Sequence, residues 1–131
     1  MAAPARERPP APERQRRARP SFETWSWFFM RISGLVLVFL ALIHFSLTHI
    51  LHDVTDTDQV FVSQRWSNPL WRLFDWALLV LAMLHGLNGL RWIIDDYVRS
   101  PGRRAVTKAV LYTLSFALLA YGTLTIVTFT A

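Results

Sequence analysis

The chain contains no cysteine. Without thiolates it can form no disulfide bond and no thiolate-ligated metal site, and it cannot hold an iron–sulfur cluster by itself. Charged residues are scarce in three long stretches, where most of the hydrophobic residues, 53% of the chain, are concentrated. A soluble domain of this length would have shorter apolar runs interrupted by charge, so a membrane protein is the first class to test.

Three apolar segments are long enough to cross a bilayer. A spanning helix needs about 20 mostly apolar residues, because the hydrocarbon core is about 30 Å thick and a helix rises about 1.5 Å per residue. The segments lie at about residues 28–51, 71–94 and 107–129. They must be helical, since lipid offers no partners to unpaired backbone groups. The sequence therefore predicts an all-α membrane protein with three transmembrane helices within residues 21–131.

The N-terminal segment has a different composition. Residues 1–20 carry six arginines and five of the seven prolines. The arginines repel one another, and the prolines prevent a helix. We expect a disordered arm. It is either a topology signal that also contacts anionic membrane lipid or a docking arm for a soluble partner.

The 14 basic residues are distributed unevenly along the chain. Seven precede or open the first span, five lie at or after the end of the second, and only Arg65 and Arg72 lie between them. The positive-inside rule therefore predicts a cytoplasmic N-terminus and second connection, with the first connection and the C-terminus outside. The net charge of +5 reflects this topology and does not indicate nucleic-acid binding.

The second span carries a stripe of polar and small residues. At about 100° per residue, His85, Gly89 and Asp96 share one face, while Arg91 and Asp95 lie together on an adjacent face. Arg91 and Asp95 are four residues apart, a spacing that predicts an ion pair between them. Asp96 is then the carboxylate that points along the His85 face.

His85 lies about midway through the second span, where an ionisable side chain is costly. Such a side chain usually faces the bundle interior, where it has a hydrogen-bonding partner or a functional role. One interpretation is a packing histidine that is hydrogen-bonded to a neighbouring helix. The other is an axial haem ligand, with Gly86 and Gly89 opening a gap for the porphyrin. In the first interpretation the same glycines serve helix–helix contact.

Asp96 and Tyr97 close the second span, about 16 Å along the helix axis from His85. A phenol in the membrane interface can hydrogen-bond a quinone carbonyl, and a nearby carboxylate can relay the protons that quinone reduction consumes. The alternative is that Tyr97 belongs to the interfacial aromatic belt and that Asp96 is a surface charge.

The stretch LHGLNGLRWIIDDYV, residues 84–98, closely resembles the second span of the smaller membrane anchor of succinate dehydrogenase. In that family a histidine is followed, eleven and twelve residues later, by Asp-Tyr, and here those residues are His85, Asp96 and Tyr97. The three-span layout and the predicted orientation are similar to those of the family. The resemblance covers about residues 22–131.

The resemblance implies a bundle that this chain forms with a second cytochrome b anchor subunit. His85 would be one axial ligand of a b-type haem, and the other anchor would supply the second. Tyr97 would donate a hydrogen bond to the quinone, ubiquinone or menaquinone, with Asp96 beside it. The flavoprotein subunit with its FAD, and the iron–sulfur subunit with its clusters, would be held on the cytoplasmic face of the bacterial inner membrane.

The segment FMRISG in the first span resembles a part of the larger anchor, where a basic residue and a hydroxyl line the quinone pocket. Arg31 would then contact the quinone or a haem propionate, and Ser33 the quinone. The alternative is that Arg31 extends to the headgroups and Ser33 bonds to its own helix.

Three further histidines, His44, His49 and His52, lie towards the outer end of the first span. His44 is too far from the depth of His85 to share an iron with it. A second, outer haem through His44 would need a ligand from another chain, and His49 and His52 are expected at the interface. Two other functions stay open: a haem-free structural anchor, as in some fumarate reductases, and a small transporter or channel subunit.

Overall fold

A computed structural model describes residues 21–129 of the chain. All regular structure within this range is helical, and three of its helices are long and apolar enough to cross a membrane. The predictions of an all-α fold and of three candidate spans are confirmed. The predicted arm at residues 1–20 lies outside the described residues, as do residues 130–131.

The helices follow one another with short connections. In chain order they are α1 (Phe22–Phe45), α2 (Gln59–Ser67), α3 (Pro69–Tyr97) and α4 (Pro101–Thr128). A π-helical turn at Ser46–Ile50 continues α1, and a single 3-10 turn at Val54–Asp56 follows it. We call the end of the bundle that holds the last residue of α3 the Tyr97 end, and the opposite end the Asp75 end.

The long helices start earlier than hydropathy alone predicts. Ser21 caps α1 by accepting a hydrogen bond from the Thr24 N–H, so the polar first turn is helical. Asn68 caps α3 in the same way, and Pro69 occupies the first helical position. The spans are 28 or 29 residues long, about 42 Å, which is enough to reach both headgroup layers.

α3 is the central element, because it packs against α1 on one side and α4 on the other. Only residues 98–100 separate α3 from α4, so these two helices are antiparallel neighbours. At the Asp75 end, Arg72 of α3 donates to the backbone carbonyls of Val127 and Phe129, at 3.3 and 3.2 Å, and so closes the last turn of α4. α2 also packs on α3. It lies in the connection between the first two spans, whose polar composition predicted only a loop.

The interior of the described chain is small and partly polar. Ile126 is the only buried hydrophobic residue among residues 21–129, and the other buried side chains are Ser26 and Ser33. Most large apolar side chains are exposed on the outer faces of the long helices. This distribution is typical of a chain whose apolar surface contacts lipid or other membrane helices.

Candidate functional site

His85 lies in the seam between α3 and α1. Its Nδ1 atom is 2.8 Å from the Ser33 hydroxyl oxygen, which is itself 3.5 Å from the Met30 carbonyl oxygen. A Cβ atom built on Gly34 would lie 3.3 Å from His85 Cε1, so α1 presses against the edge of the imidazole ring. The small residue at position 34 is therefore what lets the two helices approach closely here.

The other ring nitrogen of His85, Nε2, makes no hydrogen bond within residues 21–129. The imidazole is half-buried, and a Cβ on the adjacent Gly86 would meet nothing within 4 Å. One ring nitrogen held by the protein and the other free is the usual state of a metal-ligating histidine. The residues present therefore fit an axial haem ligand, with open space beside it.

The two glycines near His85 face different surroundings. Gly86 opens away from the described chain, whereas a Cβ on Gly89 would lie 3.5 Å from the Met30 methyl group of α1. The helical wheel placed His85 and Gly89 on one face, and both contact α1. Only Gly86 is available for the predicted porphyrin gap, because Gly89 is used for packing within the chain.

A polar network joins the two helices nearer the Tyr97 end. Ser26 donates to the side-chain oxygen of Asn88 at 2.9 Å, and Arg91 forms two 3.0 Å hydrogen bonds to the Glu23 carboxylate. The predicted pair between Arg91 and Asp95 is present only at 4.0 Å. Glu23 is the closer partner, because both oxygens of its carboxylate accept a hydrogen bond from Arg91.

Asp95 has its own partner on α4. The Lys108 ammonium lies 2.6 Å from the Asp95 carboxylate, and Arg104 lies at 3.8 Å. Sequence spacing within one helix detects only pairs on that helix, so neither Glu23 nor Lys108 was identified as a partner. Asp95 is thereby committed to structure, and Asp96 is left as the free carboxylate of the pair at the end of α3.

Asp96 and Tyr97 stand at the surface of the described chain. Tyr97 is 81% exposed, Asp96 is also exposed, and neither side chain makes a hydrogen bond or ion pair within the described range. A shallow cavity of about 350 Å³ lies beside Tyr97 and is lined further by Val98, Arg99, Arg103 and Thr107. The phenol is therefore accessible to a ligand or to another subunit.

The two predicted site residues of the first span are separated from this end. The Arg31 guanidinium lies 3.5 Å from the centroid of the Trp27 ring, and the structure gives it no contact with Asp96 or Tyr97. Ser33 is only 2% exposed and contacts His85. Of the five predicted residues, the structure thus brings together His85 and Ser33, and it leaves Arg31 apart from the Asp96–Tyr97 pair.

A second polar cluster, at the Asp75 end, was missed by the sequence analysis. Asp75 of α3 accepts two hydrogen bonds from Arg65, at 3.0 and 3.1 Å, and one from Trp66 Nε1, at 2.8 Å. Its carboxylate is also 3.1 Å from His44 Nδ1 on α1. The available signal was Asp75 itself, an ionisable residue inside an apolar segment, which marks a partnered position.

The remaining histidines do not approach His85. His44 is engaged with Asp75, and eleven residues, about 16 Å of helix, separate it from Ser33 on α1. His49 is bonded to Thr48, and His52 packs against Phe61. Among the residues that the structure describes, no group of three or more histidine, aspartate or glutamate side chains is arranged to hold a metal ion.

The sequence of this chain is similar to those of known membrane subunits. The model of a family described as succinate dehydrogenase/fumarate reductase transmembrane subunit matches residues 4–124. A succinate dehydrogenase hydrophobic membrane anchor subunit of Archaeoglobus fulgidus is 33% identical over 103 residues, which cover 77% of this chain and 85% of that protein. A succinate dehydrogenase 2 membrane subunit SdhC of Mycobacterium tuberculosis is 29% identical over 73 residues, 56% of this chain and 53% of that protein.

The match to the family model spans most of the chain and includes all but the last residues of α4. The names of the two relatives do not separate a smaller from a larger anchor, so the resemblance to the smaller one stays a prediction. The chain belongs to the family of succinate dehydrogenase/fumarate reductase transmembrane subunits and is a membrane anchor subunit of such a complex.

Proposed function

We propose that this anchor holds a flavoprotein subunit and an iron–sulfur subunit on the cytoplasmic face of the membrane, shares a b-type haem with a second anchor, and forms part of the quinone-reduction site. His85 would hold the haem iron, and Tyr97 and Asp96 would contact the quinone. Oxidation of succinate takes place on the flavoprotein subunit, outside this chain.

The observation that carries the proposal is the state of His85. Its imidazole lies about midway along α3, with Nδ1 held by Ser33 and no hydrogen bond at Nε2 within the described part of the chain. A bound b-type haem would supply one-electron transfer near the middle of the bilayer. His85 would hold it through Nε2, and the open side at Gly86 would admit it.

The exposure of the last residues of α3 supports the proposed quinone contacts. Tyr97 is exposed, so its hydroxyl is free to donate a hydrogen bond to a carbonyl oxygen, and the exposed Asp96 carboxylate beside it can accept a proton from water and pass it on to the reduced quinone. The contact of Arg31 with Trp27, which is one turn nearer the start of α1, supports the alternative in which the Arg31 side chain extends towards the headgroups. We therefore give Arg31 no primary role at the quinone or at a haem propionate.

The proposed orientation places the Tyr97 end in the cytoplasm. Arg99, Arg103 and Arg104 lie just beyond this end of α3, in agreement with the positive-inside rule. The iron–sulfur subunit would dock on the same side, so electrons and protons would reach a quinone next to Tyr97.

The proposal is tested by the reduced-minus-oxidised spectrum of the purified complex, with the b-type signal normalised to flavin. We expect His85→Ala to abolish the signal, because the other histidines within residues 21–129 are engaged elsewhere, with Asp75, Thr48 and Phe61. His49→Ala is the matched control, since His49 is exposed and bonded only to Thr48. A b-type signal that survives in His85→Ala would overturn the haem assignment, and a wild-type complex without the signal would indicate a haem-free anchor.

The quinone role has a separate test. Tyr97→Phe removes only a hydroxyl from an exposed ring, so assembly should be preserved. We expect quinone reduction to fall by about 10- to 100-fold, because a hydrogen bond to a group that becomes charged contributes about 1.5–3 kcal/mol, while succinate oxidation by an artificial dye continues. An equal loss of both activities would show misassembly and would remove the assignment.

A further inference from the structure

Ser33 has a different partner from the one that its sequence context suggests. The resemblance of the FMRISG segment implies a contact with quinone, but the side chain is 2% exposed and bonded to His85. We propose that Ser33 is a positioning residue for His85, which fixes the proton on Nδ1 and turns Nε2 towards the haem iron. This inference rests on the proposed role of His85 as a haem ligand.

One arrangement of the protons satisfies both contacts of the Ser33 hydroxyl. A hydroxyl has one proton to donate and lone pairs to accept with. The Ser33 oxygen lies 3.5 Å from the Met30 carbonyl, which can only accept, and 2.8 Å from His85 Nδ1. When the hydroxyl proton is directed to Met30, Nδ1 must carry a proton and donate it to Ser33.

In this arrangement of protons His85 is the tautomer that is protonated on Nδ1. With the proton on Nδ1, the lone pair of Nε2 is free to bind a metal, whereas the opposite tautomer would place a proton on that atom. Metal-ligating histidines commonly donate their second N–H to a protein acceptor, which sets the ring orientation and raises the basicity of the ligand. Ser33 can supply this acceptor from the neighbouring helix.

The orientation of the ring is limited on a second side. Gly34 follows Ser33, and a Cβ at that position would come within 3.3 Å of His85 Cε1. The hydrogen bond from Ser33 holds Nδ1 of the ring, and the backbone at Gly34 borders the neighbouring Cε1 atom. Both contacts come from the same turn of α1. Because Ser33 is buried, no bulk water is available to replace its hydroxyl as the acceptor.

Loss of the Ser33 hydroxyl has a defined expected effect. Mutation of such a supporting residue commonly reduces metal affinity by about 10- to 100-fold. We expect Ser33→Ala to lower the haem-to-flavin ratio of the complex by about tenfold at limiting haem. The ferric form depends more on a basic ligand than the ferrous form, so the midpoint potential should rise, by about 59 mV for each tenfold change in relative affinity.

The experiment compares four variants of the purified complex. Ser33→Ala removes the acceptor, and Ser33→Thr restores a hydroxyl at the same position. Ser26→Ala is the matched control, because Ser26 is also a buried serine of α1 but is bonded to Asn88. Gly34→Ala keeps the hydroxyl and places a methyl group against the ring. The measurements are haem content, midpoint potential and the low-spin haem signal in electron paramagnetic resonance.

We expect Ser33→Ala and Gly34→Ala to change the potential and the resonance signal, and Ser33→Thr and Ser26→Ala to resemble the wild type. If Ser33→Ala does not assemble, Ser33→Cys takes its place, because a thiol is a weak acceptor and should give the same shift. A wild-type potential and resonance signal in Ser33→Ala, or in Ser33→Cys if it is needed, would overturn the inference.

Failure of this inference is distinguishable from failure of the proposed function. If His85→Ala loses the b-type signal while Ser33→Ala has no effect, His85 is a ligand that does not need Ser33. If His85→Ala keeps the signal, the haem assignment itself is wrong, and the inference fails with it.

Discussion

Two histidines connect α1 to α3, and their surroundings are opposite in kind. His85 of α3 contacts the neutral hydroxyl of Ser33 on α1, whereas His44 of α1 contacts the Asp75 carboxylate on α3. The first contact lies about midway along the span, and the second lies near the end of the bundle where α2 packs.

The difference shows what each depth tolerates. In the middle of a bilayer a charged partner is expensive, so the histidine there is held by a hydroxyl. At the Asp75 end a carboxylate is present, but Arg65 and Trp66 are both bonded to it. A buried charge is retained only with such partners. The neutral bridge leaves one imidazole nitrogen available for chemistry, while the charged cluster serves to join α1, α2 and α3.

The strongest test of the comparison removes the cation of the charged cluster. Arg65 and Asp75 side chains are each only 10% exposed, so Arg65→Met leaves a nearly buried carboxylate without its main partner. We expect the free energy of unfolding to fall by about 3–5 kcal/mol. The measurement is denaturation of the detergent-solubilised complex. Arg99→Met, at an exposed position, is the control. If Arg65→Met and Arg99→Met lowered the free energy of unfolding by the same small amount, the cluster would not stabilise the fold.

His44→Ala tests whether the second bridge has a redox role. We expect a loss of about 1 kcal/mol in stability, because one hydrogen bond to Asp75 disappears while Arg65 and Trp66 keep theirs. The b-type signal per flavin should stay at the wild-type level. A lower signal would contradict this and would revive the second, outer haem that the sequence left open.

The smallest effect is expected for an ion pair at the Tyr97 end. Lys108 lies 2.6 Å from Asp95, but both side chains are partly exposed and Arg104 remains nearby. Lys108→Met should therefore lower the free energy of unfolding by less than about 1 kcal/mol, as measured by the same denaturation experiment. If Lys108→Met lowered the free energy of unfolding as much as Arg65→Met does, the ion pairs at the two ends would contribute equally to stability.

The long helices and the spacing along α3 could be predicted from the sequence. Runs of apolar residues are a direct consequence of bilayer thickness, so the three spans were identifiable without any neighbour. The order of His85, Asp96 and Tyr97 along one helix was equally accessible, since the rise per residue is fixed. The early start of α1 was missed because capping by Ser21 extends that helix into polar sequence.

Contacts between helices could not be predicted in the same way. Ser33 and His85 are 52 residues apart, and Glu23 and Arg91 are 68 apart. Which residue of α1 faces which residue of α3 depends on the axial offset and rotation of the two helices, and periodicity within one helix contains neither quantity. The partners of His85, Arg91 and Asp95 therefore required the three-dimensional arrangement.

The bond from Arg72 to the last carbonyls of α4 has an electrical consequence. Those carbonyls are the negative pole of the helix dipole, and the arginine cancels it. Arg65 is likewise neutralised by Asp75, whereas Arg99 and Arg103 have no carboxylate partner within residues 21–129. The positive charges of Arg99 and Arg103, unpaired within that range, therefore lie at the Tyr97 end, whereas both arginines at the Asp75 end are partnered, so the protein is electrically polarised along its length before any other subunit joins it.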